Sequence, residues 1–147
     1  MIRNITKEDL KRIDVEFSYN KKLSSLENEI SFEYSKIQIR DDNNIDAFII
    51  VSEHSLKEQF GMNPKSQNQD KVFWEQSYKI EAMFFNRSIQ WDEDSLCKLY
   101  EELGAYFSRA AIFWFTECSA DAITKKDVEL FNYIDYDDED NYFFIYI

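Results

Sequence analysis

Two glycines, one proline and one histidine are all that 147 residues contain of those types, and each scarcity removes a chemistry. Gly61 and Gly104 stand 43 residues apart. Phosphate cradles of the P-loop and dinucleotide kinds need several glycines at short fixed spacings, so neither is expected. His54 alone cannot build a histidine-rich metal centre, and Cys97 and Cys118 lack the close spacing of a zinc knuckle. Two cysteines are also too few for a disulfide framework, so both read as reduced thiols. Long hydrophobic runs are missing as well: "AAIFWF" and "YFFIYI" are six residues each, against the ~20 of a spanning helix. The start "MIRNITKEDLKRI" has no apolar core of a secretory signal. The expectation is a cytoplasmic protein without metal or cofactor.

Apolar and acidic residues are what the chain does have. It is 44% hydrophobic and 17% aromatic, too rich in both for a disordered acidic segment, so its net charge of -12 belongs to a folded body. The length suits a single domain over residues 1–147. Residues 1–73 carry 11 basic and 13 acidic side chains, and residues 74–147 carry 6 and 16, which concentrates the negative charge in the second half. Such a field repels phosphate backbones and attracts cations, so direct nucleic-acid binding is not expected.

Helix and strand signals alternate along the chain. In "ITKEDL", Thr6 and Asp9 form a capping box flanked by Ile5 and Leu10; "ITKKDV", residues 123–128, repeats the pattern before a second capped helix. Period-two alternation predicts strands at Ile13, Val15, Phe17 and Tyr19, at Ile30, Phe32 and Tyr34, and at Ile37 and Ile39. "IDAFIIV" and "YKIEAMFF" read as two further strands of a meander. Between Trp91 and Ala110, Leu96, Leu99, Tyr100, Leu103 and Phe107 fall on one helical face. The predicted class is α+β, a mainly antiparallel sheet with two or three helices packed on one face.

Candidate functional residues are the acids of the second half. "DYDDED" places five carboxylates in six residues before the apolar terminal strand. An EF-hand loop is excluded, because Asp140 stands where glycine is required and Tyr146 where a bidentate glutamate belongs. Three readings remain: a docking surface for a basic partner, a DNA-like decoy for nucleic-acid enzymes, and a hydrolase using paired carboxylates. The docking reading uses Asp92, Glu93, Asp94, Glu101 and Glu102 together with Tyr133, Asp135, Tyr136, Asp137, Asp138, Glu139 and Asp140. In size, acidity and lack of catalytic motifs the chain resembles the immunity proteins encoded beside bacterial toxins, including those of contact-dependent growth inhibition. That resemblance implies a non-catalytic inhibitor of a cognate basic toxin domain, such as a nuclease. The terminal strand "YFFIYI" would augment a partner's sheet if it lay at an edge, and would be core if central.

Overall fold

The computed structural model describes residues 1–17, 23–40, 44–60, 75–86, 88–110, 112–116, 134–137 and 142–146, with residues 23, 26, 60, 115, 116, 134–137 and 142–146 described by backbone alone. In chain order the elements are β1 (Ile2–Asn4), α1 (Lys7–Glu16), a 3-10 turn (Leu23–Leu26), β2 (Ser35–Arg40), β3 (Asn44–Ser52), α2 (Leu56–Phe60), β4 (Ser77–Phe85), α3 (Glu93–Tyr106), β5 (Ile112–Thr116), β6 (Ile134–Asp137) and β7 (Tyr142–Tyr146). Among the described residues, the strands form one seven-stranded sheet ordered β1-β2-β3-β4-β5-β7-β6. Every neighbouring pair is antiparallel except β4–β5, which is parallel.

The capping box starts α1 as expected: Thr6 Oγ1 accepts from Asp9 N at 3.3 Å, and Asp9 Oδ2 accepts from Thr6 N at 2.8 Å. The helix then covers Ile13 and Val15 of the stretch read as a strand and is capped at Phe17, while Tyr19 lies outside the described residues. Leu10, Ile13 and Phe17 are buried at helical spacing, whereas Val15, a member of the alternating set, is 87% exposed. A spacing of four satisfies both periods, and the cap decides for the helix. Ile30, Phe32 and Tyr34 precede β2 and lie outside any strand; β2 takes the second phase, with Ile37 and Ile39 buried.

The α+β class and the mainly antiparallel sheet are as expected, but the placement of helices on one face is corrected. α1 packs Leu10, Ile13 and Phe17 against Ile37, Ile39, Ile45, Phe48 and Phe84 on one face. α3 packs Leu96, Leu99, Tyr100 and Leu103 against Ala47, Ile49, Val51, Ile80 and Met83 on the other. This double cover explains the near-continuous apolar run of β3, since both sides of the strand are buried. β7 pairs with β5 on one side and β6 on the other, so the terminal strand is interior to the sheet.

Candidate functional site

The parallel step in the sheet is also where it opens. β4 and β5 pair only at Ser77↔Ile112, Tyr78↔Phe113 and Lys79↔Trp114. Past Lys79, β4 continues to Phe85 with no strand pairing on that side among the described residues. The β3–β4 register steps from Ile50↔Ala82 to Val51↔Ile80, which leaves Glu81 without a residue opposite it. A bulge of this kind twists a strand away from its neighbour and re-aims side chains, and in open α/β sheets the carboxyl ends of parallel strands are where ligands bind.

A polar cluster sits at the mouth of this fork. Lys79 pairs with Trp114, whose neighbour Phe113 packs against α3, so alternation puts Lys79 and Trp114 on the α1 side. Glu81 Oε1 accepts the Ser52 hydroxyl at 2.8 Å, and Lys79 Nζ lies 3.3 Å from Glu81 Oε2. The same ammonium is 5.3 Å from the centre of the Trp114 ring. Trp114 Nε1 donates to the His54 carbonyl at 2.9 Å, and the two rings lie 5.8 Å apart. Glu58 and Gln59 of α2 hold the imidazole, at 3.3 Å from Nδ1 and 2.8 Å from Nε2. The group set is one carboxylate able to take a proton, a histidine held on both nitrogens, and a cation over an indole. Sequence reading missed it because Lys79 and Glu81 look like the solvent side of an alternating strand; only the bulge and the parallel neighbour distinguish them.

The turn from β4 into α3 is built differently. Asn86 organises it: its Nδ2 donates to Ile45 O at 3.0 Å, and its Oδ1 accepts Ser88 N at 3.0 Å and Ser88 Oγ at 2.7 Å. Its carbonyl accepts Ile89 N at 3.2 Å and Trp91 Nε1 at 3.0 Å. Asp92 caps α3, accepting Ser95 N at 2.9 Å, while its own N–H donates to Ser95 Oγ at 2.9 Å. The Ser95 backbone bond above all, with the Ser95 hydroxyl, holds the Asp92 carboxyl below its ordinary range. Beside the turn lies a cavity of about 700 Å³ whose walls include Arg40, Asp46, Trp91, Lys98 and Glu102.

The acids singled out from sequence that the structure describes fall on two elements, α3 and β6. Asp92, Glu93 and Asp94 form the cap and first turn of α3. Glu101 is exposed further along the helix, and Glu102 accepts a hydrogen bond from Gln38 of β2. Asp135, Tyr136 and Asp137 belong to β6, the sheet edge opposite β1. Tyr133, Asp138, Glu139 and Asp140 lie outside the described residues, as do the second capping box and Cys118.

No family model matches the sequence, and no curated protein matches it with significance. Among solved structures, the chain is similar over its full length to a Staphylococcus aureus Mu50 protein titled an acetyltransferase by assignment, at 16% identity, a TM-score of 0.57 and 97% coverage of that chain. Weaker likenesses are to Chaetomium thermophilum Naa20 in complex with a bisubstrate analogue (14%, TM-score 0.44, 78% of this chain and 60% of that one). Another is to the loading GNATL domain of CurA from Lyngbya majuscula (14%, TM-score 0.45, 79% and 63%). The full-length likeness shows that the two chains share a fold. It overturns the resemblance to toxin-immunity proteins, and with it the expected non-catalytic inhibitor and its basic toxin partner. That resemblance rested on size and charge, which many folds share. Among the described residues, no helix is long and apolar enough to cross a membrane.

Proposed function

We propose that the chain catalyses transfer of an acyl group from an activated donor to a primary amine at the fork between β4 and β5. The observation that carries this reading is the fork itself: a three-residue parallel joint with the bulged Glu81 beside it. The full-length likeness to an assigned acetyltransferase agrees with it. In the reaction the ammonium first loses one proton to water; the free amine nitrogen then attacks the acyl carbon, a C–N bond forms and the donor's leaving group departs. Glu81 takes the proton that the nitrogen sheds, a task for a positioned carboxylate. Ser52 and Lys79 fix its two oxygens, at 2.8 and 3.3 Å. The acceptor is an amine that is cationic in solution, because the net charge of -12 draws cations toward the protein. In this reading the acids of the second half, from Asp92 to Asp140, steer the acceptor rather than dock a protein.

The test is an intact-mass assay of acyl transfer from small acetyl thioesters to a panel of diamines, amino-acid amides and peptide N-termini. Transfer is expected, with kcat falling about 10²- to 10⁴-fold in Glu81→Gln while the circular dichroism spectrum is unchanged. Absence of transfer from every donor to every amine ends the proposal.

A further inference from the structure

We propose that Lys36 is a covalent modification site, an amine whose surroundings suit a short acyl group better than a charge. It stands on the sheet face opposite the Lys79 and Trp114 cluster, and the inference does not depend on the acyl-transfer reading. In "SKIQIR" Lys36 has the alternation of a solvent-facing residue. Its partner across the ladder is nevertheless Ile49, a core residue beneath α3, and Lys36 itself is 4% exposed.

An ammonium carries three N–H donors. One of them donates to the Glu33 carbonyl, and the Tyr106 and Phe107 rings lie 5.8 and 5.9 Å from the nitrogen. Among the described residues, Lys36 Nζ has no second hydrogen-bond acceptor and no carboxylate at ion-pair distance. Two donors of a buried cation are thus left to aromatic rings, which is a costly way to keep a charge. An N-acyl lysine removes that cost, because it is neutral and keeps a single N–H, the one that the Glu33 carbonyl satisfies.

There is room for the rest of the amide. Lys36 lines a cavity of about 230 Å³, below the ~300–1,000 Å³ of sites for drug-sized ligands, which limits the added group to a few heavy atoms. Tyr106 spends its hydroxyl on Asn4 Oδ1, at 3.0 Å. Tyr34 and Tyr78 line the same cavity, and their hydroxyls have no hydrogen-bond partner among the described residues, so they are available to the new carbonyl oxygen. An anionic ligand would also answer the cation, but Glu33 and Glu53 line the cavity and oppose one. Burial lowers the pKa of Lys36, with Glu33 opposing, and so leaves more of the neutral amine from which attack occurs. In the reaction Nζ first loses a proton to water, and its lone pair attacks the acyl carbon of an activated donor. The N–C bond forms, the leaving group departs with the electron pair of its bond, and the second proton goes to that group.

Trace labelling of the full chain with acetic anhydride at neutral pH, read by peptide mass mapping, tests the inference; acetate is then the leaving group. In the folded chain Lys36 is expected to acetylate several-fold faster than the exposed Lys11 and Lys98, and in urea at the same rate as they do. The chain acetylated at Lys36 alone, separated by ion exchange, is expected to melt no lower than the unmodified chain, since a neutral amide has replaced a buried cation. Three results overturn it: no preference for Lys36 in the folded chain, the same preference in urea, or a lower melting temperature after acetylation. Failure of the acyl-transfer reading looks different, because the mass assay would then find no acylated free amine whatever the rate at Lys36.

Discussion

Asp9 and Lys36 show how single buried charges are handled in this chain. Asp9 is 4% exposed and receives Arg3 through two bonds of 2.6 and 2.8 Å, besides Thr6 N and Thr6 Oγ1. Burial pushes its pKa up, but the Arg3 and Thr6 bonds together outweigh it and hold the carboxyl below its ordinary value. The resulting stabilisation is present above the unfolded-state value of about 4 and is lost as pH falls through the folded value. Asp9→Asn is expected to cost about 1.5–3 kcal/mol at pH 7 in urea denaturation, and to flatten the acid limb of the stability profile. Lys36 is the opposite case. It is 4% exposed, donates to the Glu33 carbonyl and lies 5.8 and 5.9 Å from the Tyr106 and Phe107 rings. Burial lowers its pKa, with Glu33 opposing. The fold thus favours protonated Lys36 less than the unfolded chain does, and stability rises with pH between the folded value and the unfolded value of about 10.4. Lys36→Met should leave stability at pH 7 equal or greater, and should abolish that alkaline rise.

At the level of elements, α3 couples the sheet face to the turn that precedes it. Leu103 is fully buried against the sheet, whereas Glu101, two residues earlier, is exposed. Leu103→Ala is expected to cost about 2–5 kcal/mol by transfer and cavity terms, and Glu101→Ala to change stability by less than about 0.5 kcal/mol. Thermal melts of the two variants check the contrast; equal effects would mean that α3 does not pack as described. β6 illustrates a different use of charge. Asp135 and Asp137 lie in the edge strand that covers β7, and charge on an edge strand discourages pairing with another chain. The first three residues of "DYDDED", Asp135 to Asp137, are therefore strand.

For the whole molecule, the dominant quantity is the net charge of -12, with a sequence pI near 4.5. Under the acyl-transfer reading this charge raises the local concentration of cationic amines and has no effect on neutral ones. KM for a diamine should therefore rise several-fold between about 0.05 and 0.3 M salt, as the screening length shrinks from about 14 to 6 Å, while KM for a neutral amine stays constant. Parallel salt dependence of the two would place the acceptor site outside the protein's field.

What the sequence determined by itself were features set by neighbouring residues. The cap at Thr6, the strands β3 and β4, the helix α3 and the apolar stretch of β5 were all legible, because capping bonds and hydrophobic periods act over a few positions. Ile13 and Phe17 were misread because a spacing of four fits a strand and a helix alike, and the neighbouring Val15 carried no sign that it would face water. The candidate site belongs to tertiary structure. Lys79 and Trp114 are 35 residues apart in the chain, and their meeting requires that α3 return the chain for a parallel pairing. Nothing local marks Glu81 as a bulge, since that depends on the register with β3. The sheet's closing move, in which β7 inserts between β5 and β6, was equally invisible: "YFFIYI" would read the same at an edge or inside. Periodicity is a property of adjacent residues, but strand order and register are set by which distant surfaces bury each other best.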